Sequence, residues 1–136
     1  YVININSIEE IKYLKKNLDK FKKIINILVI GPVPHVNKDI DPLKCFIRQV
    51  SCTFNTQYDI ENRKLNDFYK EVNKLTAISE RIIFYNPYKV ICPEKICYAY
   101  NQQKKILTYR DKNHITQEAS KLLDNDFNIF LKNNLN

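Results

Sequence analysis

Asp111 and His114 stand three residues apart in the stretch LTYRDKNHIT, residues 107–116. Histidine is the side chain best matched to moving protons near neutral pH. It serves as a general base when an acceptor fixes its tautomer and steadies its cation. A carboxylate three residues earlier on an irregular turn can reach back to do this, as the Asp of a Ser-His-Asp triad does. The chemistry would be deprotonation of a hydroxyl nucleophile. The plainer reading is a capped helix start beside a solvated imidazole, and a bare D-x-x-H is a weak motif. His35, after GPVP, reads by default as a solvated loop residue rather than a catalytic one.

The cysteines carry the second chemical signal. Cys92 and Cys97 bracket CPEKIC, a short loop containing Pro93. Two cysteines that close, across a turn, can reach disulfide geometry. Zinc is the competing reading, but it needs a second ligand pair at knuckle spacing. The separation of Cys45 from Cys52 is wrong for one. A Cys92–Cys97 disulfide is therefore favoured, with an oxidising compartment implied. For Cys45 and Cys52, pairing and buried thiols both stay open.

These groups must be held by elements readable from periodicity. Residues 7–23 read as a helix, capped by Ser7, with Glu9 and Glu10 in its first turn and an apolar stripe through Ile8, Ile11, Leu14 and Leu18. IINILVIGPVP, residues 24–34, is a nearly continuous β-branched run ended by Gly-Pro, the pattern of a parallel strand buried on both faces. Gly31 falls at its carboxyl end, where open α/β sheets bind ligands. Residues 35–57 read as an irregular connection in which Pro42 could start a short helix, and as a candidate binding loop. Residues 59–79 return to helical spacing. RIIFYNPYKV is a second buried strand stopped by Pro87, residues 90–110 a small ribbon, and 116–131 a terminal helix capped by Thr116. Helix and buried strand in alternation predict an α/β fold with a parallel sheet, laid out as one domain over residues 1–136.

Composition narrows the classes further. The chain has 136 residues, 44% of them hydrophobic, enough for one folded core. It has a single glycine, so a fold of many tight turns, or a Gly-rich phosphate loop, is hard to build. No apolar run approaches the ~20 residues of a membrane helix. No signal peptide is visible, so any export signal is expected outside these residues. The net charge of +7 suggests affinity for polyanions: nucleic acid, anionic lipid or acidic glycan. The lysines are spread along helical segments, as solvated faces usually are, and no nucleic-acid motif accompanies them.

CPEKICYAYNQQKKILTYRDKNHITQEASKLL resembles the end of SGNH-hydrolase domains. It is most similar to the extracytoplasmic SGNH domain fused to membrane-bound acyltransferases that O-acetylate cell-surface glycans. The matching residues are Cys92, Cys97, Tyr109, Asp111, His114, Ile115, Thr116 and Ala119, with Glu118 standing where the family usually has Gly. INILVIGPVPHVNKDIDPLKC also resembles that family's strand and proline-rich loop before a cysteine, so the likeness spans residues 24–123. It implies a three-layer αβα sandwich with a parallel sheet, SGNH- or flavodoxin-like, lacking its N-terminal strand here. It implies His114 as base and Asp111 as its orienting acid. The nucleophile would be a Ser in a Gly-Asp-Ser block, and none of Ser7, Ser51, Ser79 and Ser120 follows Gly-Asp. That block is expected upstream of Tyr1, which would leave this piece inactive alone.

The implied activity is acyl transfer, with acetyl the expected group, to surface polysaccharide, or ester hydrolysis on it. The acyl donor would come from a membrane acyltransferase domain upstream in the same polypeptide, which would tether the domain to the inner membrane on its periplasmic side. No cofactor, metal or nucleic acid enters this scheme. The alternatives are a non-catalytic glycan- or partner-binding α/β domain, and a basic polyanion-binding module.

Overall fold

In the computed structural model, residues 1–21, 26–36, 38–55 and 59–135 are described. The chain divides into two compact units, one of Tyr1–Pro32 with Tyr58–Asn86, the other of Val33–Gln57 with Pro87–Asn136.

The first unit is a parallel sheet with helices. Strand β1 (Val2–Asn4) leads through helix α1 (Ile8–Asn17) and a 3-10 turn to β2 (Ile27–Ile30). Helix α3 (Asp59–Thr76) then leads to β4 (Ile82–Tyr85), giving the order β1-β2-β4, parallel throughout. Ser7 accepts the Glu10 N–H, and the Glu10 carboxylate accepts the N–H groups of Asn6 and Ser7, closing a capping box at the start of α1. Ile27, Val29 and Ile82 pack with Ile11 and Leu14 of α1 and with Phe68, Val72 and Leu75 of α3. Leu28 and Tyr85, on alternate positions, are also buried, so β2 and β4 bury residues on both faces as their apolar runs predict, while the edge strand β1 exposes Val2. Lys22, Lys23, Ile24 and Ile25, expected at the end of the first helix and the start of the strand, lie outside the described residues.

The second unit is built on an antiparallel sheet. Helix α2 (Pro42–Ile47) leads into β3 (Cys52–Asn55), which pairs with β5 (Ile96–Asn101), and β5 pairs with β6 (Ile106–Leu107). Helix α4 (Tyr88–Ile91) and the terminal helix α5 (Gln117–Asn134) complete it. Thr116 caps α5 by accepting the Ala119 N–H. Its core joins Val36, Phe54, Ile91, Cys97, Ala99 and Tyr109. Strand β3 falls where the sequence reads as irregular connection. It is four residues long and its partner lies more than forty positions away, so no local pattern marks it. Strand β1 and helix α4 are likewise too short to show a period.

Turns in a chain with one glycine are made by other residues. Gln49, Glu94 and Lys105 adopt φ of 53°, 54° and 53°. The lone Gly31 has no positive φ. Its place is fixed by packing, since a Cβ there would come within 2.9 Å of the Phe84 ring. The Gly31 N–H donates to Tyr85 O. The low glycine content thus moves the left-handed turns onto Gln, Glu and Lys rather than removing them. The chain is α/β with a parallel sheet and helices, consistent with an αβα sandwich.

Candidate functional site

The Asp111–His114 stretch is a pinched loop rising from the antiparallel unit. Tyr109 and Ile115 pair as an isolated antiparallel bridge, Arg110 N–H donates to His114 O at 2.9 Å, and Thr116 N–H donates to Thr108 O. Thr116 also donates its hydroxyl to Leu107 O, so one residue closes the loop and caps α5.

Within the loop, Asp111 Oδ1 accepts the backbone N–H groups of Asn113 and His114, each at 2.9 Å. These bonds wind the three-residue step back on itself. They bring His114 Nδ1 to 2.9 Å from both carboxylate oxygens. The plain and the catalytic readings of this stretch are therefore compatible: one carboxylate caps the turn and orients the ring. The helix cap is a separate residue, Thr116.

The Asn113 N–H is the largest influence holding the Asp111 carboxyl down to about 2, partly opposed by lost hydration and reinforced by the ring and N–H of His114. An ionised carboxylate only accepts, so the proton between the two groups is assigned to Nδ1, and in the neutral ring Nε2 then carries the lone pair. Arg110 Nε lies 3.6 Å from Asp111 Oδ2. The imidazole is 64% exposed and the carboxylate 46%, so the pair is open to a second reactant.

The loop is seated on the connection after β2. Tyr109 is fully buried, and its hydroxyl donates to Pro34 O at 2.7 Å. Burial pushes its phenol pKa up, which keeps it a donor. Val36 N–H donates to Lys112 O, and Lys112 Nζ to Lys38 O. His35 is the exposed residue between the anchored Pro34 and Val36. The proline-rich stretch thus supports the Asp–His loop, a contact that no periodicity could disclose.

Each serine hydroxyl makes a hydrogen bond to backbone, local for Ser7, Ser79 and Ser120 and long-range for Ser51. Ser7 and Ser79 accept from Glu10 and Arg81, Ser51 accepts from Gln102, and Ser120 donates to Gln117 O. Among the described residues no three His, Cys, Asp or Glu side chains converge as metal ligands. Cys92–Cys97 and Cys45–Cys52 are both bonded, with Cα atoms 4.1 Å and 5.9 Å apart. The reversal after α2 brings the second pair together despite its longer separation.

The SGNH domain (fused to AT3 domains) is the family whose model matches, over residues 3–128. No curated protein and no solved structure matched the chain. The match runs through both units and through the Asp–His loop, and the chain belongs to the SGNH domains that are fused to AT3 domains.

Proposed function

We propose that this chain carries the acid–base half of an acyl-transfer site. Membership of the SGNH domains fused to AT3 domains supports acyl transfer or ester hydrolysis in general. The observation that carries the finer reading is His114 Nδ1 held at 2.9 Å from both oxygens of an ionised Asp111. Asp111 fixes the tautomer and steadies the imidazolium, and His114 Nε2 takes the proton of a hydroxyl. The first hydroxyl is a serine from a Gly-Asp-Ser block elsewhere in the polypeptide; it attacks the acyl carbonyl of the donor, the bond from that carbonyl to the donor's leaving group breaks, and the leaving group departs with the proton from His114, leaving an acyl-enzyme. The second is a glycan hydroxyl, or water, which resolves it with His114 again as base. The AT3 domain supplies the acyl donor. The two disulfides fit an extracytoplasmic site. Among the described residues no helix is long and apolar enough to cross a membrane.

The test uses the natural polypeptide that contains this chain, assayed for acetyl-ester hydrolysis and for acetyl transfer to surface polysaccharide. His114→Ala is expected to lower the rate on the order of 10³-fold or more, with Asp111→Asn intermediate. Wild-type rates in His114→Ala would remove the catalytic role. On this chain alone, the ¹⁵N shifts of His114 at pH 8 should report Nδ1–H and a bare Nε2.

A second reading, a binding domain without catalysis, draws on the exposure of the pair, since a 64% exposed imidazole can simply donate to a bound glycan. An inactive wild-type polypeptide that still binds glycan would favour it.

A further inference from the structure

Helix α2 and the turn after it display large apolar side chains to water. Leu43, Phe46, Ile47 and Val50 are 52%, 40%, 70% and 54% exposed. Leu43, Phe46 and Ile47, three and four residues apart, share one side of α2, and Val50 follows just after the left-handed Gln49. Pro42 and Cys45 take the opposite, buried face.

This face is held rigidly. Asp41 accepts the N–H groups of Leu43 and Lys44 at the start of the helix. At its end, Val50 N–H donates to Cys45 O and Gln49 N–H to Phe46 O, with Gln49 at φ 53°. That is the Schellman pattern, here closed by Gln in the place usually taken by Gly. The Cys45–Cys52 bond ties the helix to β3. Tyr100 donates its hydroxyl to Gln49 Oε1 at 2.8 Å and meets the Phe46 ring edge-on at 5.5 Å. The apolar residues are therefore fixed outward, and docking them costs little further ordering.

Cations surround the face. Lys44 and Arg48 lie on α2 and its cap, both exposed. Gln102 N–H donates to Ser51 Oγ at 2.9 Å, which joins the β5–β6 turn to this corner. That turn carries the exposed Lys104 and Lys105. Asp41 lies 3.6 Å from Lys44, and the exposed Asp39 precedes it by two residues. A rigid apolar tip with basic side chains around it has the chemistry of an interfacial anchor. Contiguous exposed apolar surface of this kind marks interaction sites.

We propose that the Leu43–Val50 knuckle docks on an anionic lipid surface, inserting Leu43, Phe46, Ile47 and Val50 among the acyl chains while Lys44, Arg48, Lys104 and Lys105 meet the headgroups. The inference is independent of the acyl-transfer reading.

The experiment is flotation of this chain with vesicles of phosphatidylglycerol and phosphatidylcholine, against vesicles of phosphatidylcholine alone. Binding is expected to the first and to be weaker by about tenfold or more to the second, and to weaken with salt. Ile47→Asp/Val50→Asp is expected to lose binding by about tenfold or more. Both positions are exposed, so its circular dichroism and melting should match wild type. The chain has no Trp, so Ile47→Trp supplies a single fluorophore that should shift to the blue and be quenched by brominated lipid. Equal binding to both vesicles, full binding by the Asp variant, or an unshifted Trp would each overturn the proposal. So would a dimer of wild-type chain that the Asp variant splits, which would assign the face to a second copy.

Discussion

The parallel unit and the antiparallel unit of this chain are stabilised in different ways. In the first, aliphatic residues of β2 and β4 alternate between two dry faces, and α1 and α3 close over one of them. It holds no cysteine. The second holds both disulfides, every non-glycine residue with positive φ among the described residues, and the Asp111–His114 pair. Its core includes the fully buried Tyr109, whose hydroxyl needs and finds a partner. The contrast shows how a chain with one glycine can carry a shaped loop. Regular parallel structure makes its core from apolar burial, while the unit with the left-handed turns adds covalent pins and specific polar bonds.

The largest effect that tests this contrast is expected from Leu75→Ala. Leu75 is fully buried among α1, β2 and β4, so its loss should cost about 2–5 kcal/mol in urea unfolding. A loss below ~1 kcal/mol would mean that the parallel unit does not depend on close packing. Next is Cys92→Ser/Cys97→Ser, which should cost about 2 kcal/mol, a loop this short giving a modest entropic gain. Hydrogen exchange should accelerate at Cys97 and Ala99 and not at Val29 or Leu75. Equal acceleration in both places would break the comparison.

Smaller again is Tyr109→Phe, expected to cost about 1 kcal/mol through loss of the bond to Pro34 O. Faster exchange of the Val36 amide would show that the Asp–His loop has loosened with it. Glu94→Gly should act in the opposite direction. It removes a left-handed non-glycine residue between Cys92 and Cys97 and should raise stability by up to ~1 kcal/mol. A loss would mean that the Glu94 side chain matters more than its backbone. The smallest expected change concerns pH. Asp111 is held down to about 2 from an ordinary 3.8, so it stabilises the fold above about pH 4. That contribution fades as pH falls toward 2. Asp111→Asn should flatten this acid limb of the stability curve, leaving the shares of Asp41 and Glu71, which are lowered too.

Much of this molecule could be read before its structure was known, because the signals were local. Ser7 with Glu10, and Thr116 with Ala119, are caps that depend on residues within one turn. The apolar runs at 27–30 and 82–85 announce strands dry on both faces. The Asp–His step is three residues long, and its geometry follows from bonds inside the loop. The sequence by itself therefore determined the parallel α/β character, the capped starts of the first and last helices, and the candidate acid–base pair. Only the tertiary structure decided what depends on distant partners. Strand β3 exists because β5 offers it a ladder, and β1 because β2 does. At Gly31 a Cβ would press on the Phe84 ring, which arrives from β4. The Asp–His loop keeps its seat because Tyr109 reaches Pro34 and Val36 reaches Lys112, across more than seventy residues of chain. Bonds of that span leave no period in the sequence, since each end looks locally like any buried tyrosine or any loop proline.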